Sequence, residues 1–171
     1  MNNDLAEKEF SAFVGPKADY YIERWRFAVD GPEITTGFNW AAFFLSGLWL
    51  PYRKMYRIAG IFFGVILLET VLEEVVYVGI LGRSEAPAAF GRFVGLVVSI
   101  VCGWFANEWY FSHARKAISE VRSEGLPEEV HMEALAKRGG TSLAASLGFL
   151  VIFLLAAFAA LILLEFFLKG V

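Results

Sequence analysis

The residues most able to do chemistry are three acids in an apolar setting, "LLETVLEEVVY" at residues 67–77. Glu69 falls near the middle of the apolar run 58–81, and Glu73 is one helical turn further along on the same face. Glu74 points about 100° away from Glu73. An ionised carboxylate in hydrocarbon costs at least a few kcal/mol, so acids in such a run are functional candidates by default. The chemistry they suit is loading and releasing a charge, as on a proton or cation path. The plainer reading is structural pairing. Arg92 enters the next apolar run from the same side, and its long side chain is expected to reach Glu73 or Glu74, leaving Glu69 as the protonatable site.

Other constellations are weaker. Glu128 and His131 have the i, i+3 spacing of a metal-ligating pair, but a site needs three or four converging ligands and only one other histidine exists, His113. An exposed helical histidine is the better reading, and no metal site is expected. Cys102, the single cysteine, excludes an internal disulfide or thiolate cluster and reads as a small buried hydrophobe. No phosphate-cradling glycine loop, nucleophile elbow or nucleotide fingerprint is present. No cofactor and no enzymatic activity are therefore expected. The net charge of -3 argues against nucleic acid as a partner.

The elements that must position these residues are set by a composition 57% hydrophobic over 171 residues. That is more than a water-soluble surface tolerates, so a bilayer is the natural solvent. The opening residues "MNNDLAEKEF" lack a basic n-region, so no cleaved signal peptide is expected. Three apolar runs, 58–81, 89–111 and 142–168, each exceed the roughly 20 residues a crossing helix needs. Residues 38–50 would make a helix of only about 20 Å, and Pro51, Arg53, Lys54 and Arg57 follow at once.

Charge placement decides how that short stretch is threaded. With three spans and the N-terminus inside, twelve of the 15 Lys and Arg are cytoplasmic, and only Arg83, Arg92 and Lys169 approach the far side. A fourth span at 38–50 would reduce this to eight against seven, so the positive-inside rule prefers three. The short helix is then interfacial or re-entrant. Trp40, Trp49, Tyr52 and Tyr56 bracket it, and Trp104, Trp109 and Tyr110 mark the same interface on the second span. Asn39, Ala42 and Ser46 share a weakly polar face, open either to headgroups or to another helix. Asn107 and Glu108 sit where polar groups reach water. Gly60-x-x-x-Gly64 and Gly91-x-x-x-Gly95 allow close helix approach, more plainly within the chain than between copies.

The polar parts read as punctuated helices. One ends at Gly15-Pro16 and a second before Asp30-Gly31-Pro32. The second span runs on to Gly125, and a helix opened by Pro127 ends at Gly139-Gly140. Thr141 or Ser142 can cap the last span.

The residues Phe13-Val14-Gly15, Tyr20-Tyr21, Phe38-Asn39-Trp40-Ala41-Ala42-Phe43, Trp49 and Tyr52-Arg53-Lys54-Met55-Tyr56 resemble a bacterial membrane family known as a domain of unknown function, number 2628. "FANEWYFSHARKAI" looks like that family's aromatic-then-basic helix end. The resemblance covers roughly the first two thirds of the chain. It implies a bacterial inner membrane and helical character, and it carries over no catalytic residues. Glu69, Glu73 and Glu74 fall outside the matching residues.

The expected architecture is an all-α polytopic membrane protein with three transmembrane helices, one short interfacial or re-entrant helix and cytoplasmic helices. Residues 1–37 form a cytoplasmic helical segment, 38–57 the short helix with its basic end, and 58–171 the span domain, with a cytoplasmic hairpin at 112–141. The expected role is non-enzymatic, through homo-oligomer or membrane-protein partner assembly among membrane lipids. A proton or cation pathway on Glu69 and Glu73 is the alternative. The N-terminus is expected in the cytoplasm and the C-terminus outside.

Overall fold

A computed structural model describes residues 3–30, 37–84 and 87–169. The predicted Gly31-Pro32 stop lies outside them. The described residues are helical, with no strand among them.

Four helical segments build an aromatic-centred cap. In α1 (Asn3–Val14) the buried stripe Ala6, Phe10, Phe13 and Val14 recurs at helical spacing, and Gly15, at φ 77°, ends the helix. Helix α2 (Ala18–Asp30) contributes Tyr21 and Trp25, four residues apart on one face. Both helices pack on the second half of α6 (Ala88–Ser123), where Tyr110, Phe111, Ala114, Ala117, Ile118 and Val121 continue a buried stripe. Helix α7 (Glu128–Arg138) closes the cap through Leu135. Rings hold the centre. Phe10 stacks on Phe111 at 5.5 Å and meets Trp25 at 5.6 Å, and Tyr21 meets Tyr110 edge-on at 5.1 Å. Each such pair is worth about 0.5–1.5 kcal/mol beyond its buried area.

The short segment is a helical hairpin, not one helix. Helix α3 (Trp40–Leu45) stops at Ser46, whose φ of 49° no continuing helix accepts. A 3₁₀ turn (Ser46–Leu48) and the one-turn α4 (Trp49–Tyr52) follow. Asn39 starts the hairpin beside Gly103, its N–H donating to the Gly103 carbonyl at 2.7 Å. The tip, Ser46 to Leu48, shares a cavity wall with Val98 and Ser99. The return brings Trp49 against Tyr110 at 5.8 Å. Measured along α6, the hairpin therefore dips and comes back. The last apolar helix, α8 (Leu143–Lys169), pins it, because Ser146 Oγ donates to the Leu48 carbonyl at 2.5 Å and Ser142 N–H to that of Tyr52 at 2.8 Å.

Helix α5 (Tyr56–Glu74) continues through a π-helical turn, Val75–Ile80, directly after Glu74. Among the described residues two helices, α6 and α8, are long and apolar enough to cross a membrane. In α5, Arg57 and three glutamates interrupt an otherwise apolar face. The closeness expected at the glycine pairs is absent. A Cβ on Gly60, Gly64, Gly91 or Gly95 would meet nothing within 4 Å, so these positions do not serve packing within the chain. Gly47 and Gly103 do, since a Cβ there would collide with the Phe62 and Phe38 rings. Neither belongs to a Gly-x-x-x-Gly pair.

Candidate functional sites

Glu69 and Glu73 line a cavity of about 570 Å³ between α5, α6 and α8, with the hairpin tip Leu45–Leu48 as one wall. Thr70, Ser99, Gly91 and Gly95 also border it, and Phe153 comes from α8. On the other side of Glu69 a second hollow of about 460 Å³ runs past Leu72, Val76 and Phe90. One carboxylate oxygen of Glu69 is buried without a hydrogen-bond partner. The expected ion pair does not form. Arg92 is exposed and makes no ion pair with Glu69, Glu73 or Glu74. The reason is orientation: the α6 residues lining the cavity opposite the acids include Gly91, Val94 and Gly95, and Arg92, one position on from Gly91, is turned about 100° away and lines neither hollow.

The motif at 38–57 is a built site, and its polar residues do not all face solvent. Asn39 accepts from the Ala42 N–H at 2.9 Å as the α3 N-cap, and its own amide donates to Asn107 Oδ1 at 2.7 Å. Asn107 in turn donates to the Gly37 carbonyl at 3.0 Å. Both side chains are buried, so Asn107, expected to reach water, instead fastens the hairpin to α6. The face carrying Asn39 and Ala42 thus meets a helix. Trp40 stays exposed, Phe38 and Tyr52 are half-buried, and Trp49 is buried. Tyr56 is exposed and stacks on Phe149 at 6.1 Å.

Arg53, expected as part of a solvated basic end, is 5% exposed. Its guanidinium lies 4.8 Å from the Tyr21 ring centre, 5.0 Å from Tyr110 and 5.9 Å from Tyr52, and donates to Tyr21 Oη at 3.1 Å. Burial pushes the Tyr21 phenol up, and the Arg53 cation pulls it part-way back. Nε and Nη1 of Arg53 are buried with no hydrogen-bond partner. Neighbouring Lys54 does what its type suggests at a helix end, donating to the Lys137 carbonyl at 2.9 Å.

A third cluster went unseen in the sequence. Glu9, on the buried stripe of α1, is 2% exposed and takes both a two-point contact from Arg122 and the His131 ring nitrogen at 2.9 Å. Burial raises the Glu9 carboxyl, but the hydrogen bonds and charges of Arg122 and His131 outweigh it and hold the group below its ordinary value. His131 thus faces Glu9 across the cap. Among the described residues no group of three His, Cys, Asp or Glu is arranged to hold a metal. A charged residue at i+3 from Ala6 and i−4 from Phe13, on an apolar stripe, was the available signal.

A family model described as "Protein of unknown function (DUF2628)" matches residues 4–116. The chain belongs to that family. The DUF2628 segment runs from α1 to the part of α6 beyond Phe111, so it contains Arg53, its aromatic neighbours and the Asn39–Asn107 bracket. It also contains Glu69, Glu73 and Glu74, while Arg122, His131 and α8 lie beyond it. Neither the curated proteins nor the solved structures contain a match.

Proposed function

We propose that this member of the DUF2628 family is a non-enzymatic integral protein of the bacterial inner membrane that acts by assembling with itself or with another membrane protein. In this reading α5 with its π turn, α6 and α8 are the spans. The hairpin 40–52 is a re-entrant element of the cytoplasmic leaflet, and α1, α2 and α7 form a cytoplasmic cap. The charge asymmetry of the sequence supports an inside N-terminus and an outside C-terminus. The outward apolar surface of α5 and α8, including Ile61, Val65, Ile152, Leu155 and Phe158, suits lipid.

One observation carries the assembly reading. Along α5 and the outer half of α6 the chain leaves Gly60, Gly64, Gly91 and Gly95 open, beside a cavity holding unpaired Glu69 and Glu73. Open small-residue faces and unsatisfied carboxylates are what a neighbouring helix would cover and pair. The mass of the purified protein in several mild detergents tests this. A homo-oligomer or a retained partner is expected, loosened by Gly60→Ile or Gly91→Ile, and a strict monomer released from native membranes without a crosslinkable partner would refute it.

The same cavity favours a second reading, a proton or cation pathway on Glu69 and Glu73, because Thr70 and Ser99 give it polar walls beside the acids. Proteoliposomes separate the two. A pathway predicts pH-driven charge flux that Glu69→Gln abolishes, whereas assembly alone predicts no flux above protein-free vesicles.

A further inference from the structure

A third cavity lies on the cap side of the hairpin, about 580 Å³ in volume, and among the described residues its charge is all of one sign. Lys17 comes from the turn before α2, Arg24 from α2, and Arg53 from the turn after α4. No Asp or Glu lines it, and none of the three cations makes an ion pair among the described residues. Tyr20, Tyr21 and Asn39 supply neutral hydrogen-bonding groups. Tyr20, Tyr21 and Arg24 lie in the first turns of α2 and Lys17 stands in the turn one residue before that helix, so the start of α2 and its approach deliver two cations and two phenols to the cavity.

Arg53 makes this more than a basic surface patch. A guanidinium removed from water without a counter-charge costs several kcal/mol. Three tyrosine rings offset part of that. Two of its nitrogens, Nε and Nη1, remain without a hydrogen-bond partner. A planar donor fork with spare donors, beside a cavity lined by two more cations, is the chemistry that recognises a phosphate. The cavity also has an apolar rim, with Trp40 64% and Leu45 48% exposed and Phe44 next to them.

We infer that this cavity binds a phosphate group, with Lys17 and Arg24 at its rim and Arg53 as its buried counter-charge. Two sources share that chemistry, the phosphodiester of an anionic lipid, whose acyl chains would lie along Trp40, Phe44 and Leu45, and a free phosphate from the cytoplasm. The inference stands apart from how the spans assemble, since no residue of the Glu69 cavity takes part except the shared wall residue Leu45.

Full-length protein in neutral detergent tests it, with tryptophan emission as the readout because Trp40 and Trp49 line the cavity. Titration with short-chain phosphatidylglycerol is expected to saturate, and phosphatidylcholine to leave the emission unchanged. The double variant Lys17→Ala/Arg24→Ala should weaken phosphatidylglycerol binding roughly ten- to thirty-fold, as expected for two basic contacts near a lipid surface. Lys8→Ala, basic but outside the cavity, should bind like the unaltered protein. Inorganic phosphate giving the same saturation, and competing with the lipid, would identify free phosphate as the source. Saturation by the lipid alone would identify the headgroup. Because Arg53→Gln risks the fold, the rim variant is the deciding one. Saturation by neither phosphate source, equal saturation by phosphatidylcholine, or undiminished binding in the rim variant would overturn the inference.

Discussion

At the scale of single residues, the buried polar groups are the ones whose loss should be felt. Glu9 sits under Arg122 and His131 with almost no exposure, so Glu9→Gln exchanges charge-assisted bonds for weaker ones without changing shape. Hydrogen bonds to charged groups contribute about 1.5–3 kcal/mol, and the partial exposure of Arg122 argues for the lower end. Denaturant unfolding followed by Trp25, which packs on Phe10 of the same cap, would measure it. The pH dependence has a defined sign. The folded-state value of Glu9 is depressed, so its contribution is complete above the ordinary carboxyl value of 4.5 and is lost as pH falls through the lowered one. The gap between the unaltered protein and Glu9→Gln should therefore close in acid. Asn107→Leu is the second test. It removes the partner of the buried Asn39 amide, at about 1–3 kcal/mol, and that of the carbonyl of exposed Gly37. A melting temperature in detergent unchanged by Asn107→Leu would mean that water already satisfies those groups.

At the scale of elements, the two kinds of glycine on α6 separate packing from assembly. Gly103 touches the Phe38 ring, and its carbonyl holds the start of the hairpin, whereas Gly91 faces open space. Gly103→Ala forces a methyl group into the ring and should cost about 1–3 kcal/mol of stability as overpacking. Gly91→Ala should leave the isolated chain at least as stable, because alanine is about 1 kcal/mol better than glycine within a helix. Thermal unfolding of both variants in one detergent makes the comparison, and equal losses would contradict the placement of Phe38. The hairpin itself depends on Ser46 turning where α3 would otherwise continue toward Trp49.

At the scale of the whole molecule, the proposed threading makes a prediction about sidedness. Single cysteines at Lys8, Ala86 and Glu124 in a Cys102→Ser background can be probed with an impermeant thiol reagent added outside intact cells. Three spans with a re-entrant hairpin require labelling at the Ala86 position alone. External labelling at the Lys8 position would instead mean that residues 38–50 cross. Cys102 itself is a buried free thiol, so its removal should not disturb the arrangement through any covalent bond.

Much of this was legible in the sequence because the signals are local. Runs of apolar residues, Gly15, Gly125 and Pro127 set the long helices and their ends, since backbone conformation and hydration act residue by residue. The brevity of 38–50 and the basic residues after it excluded a long helix there on length alone. Pairing across the fold was not legible. Glu73, Glu74 and Arg92 have the right types and levels for a salt bridge, yet Arg92 is exposed and lines neither hollow beside the acids. Arg53 and Lys54 are adjacent basic residues after a proline, and nothing local says that one turns under Tyr21 while the other reaches the Lys137 carbonyl. Glu9, Arg122 and His131 are more than a hundred residues apart from first to last. Helical segments and apolar segments can be read along the chain alone, through short-range propensity and transfer free energy. Which charges are paired, caged or left open emerges with the fold, because that depends on distances between helices that no spacing along one chain encodes.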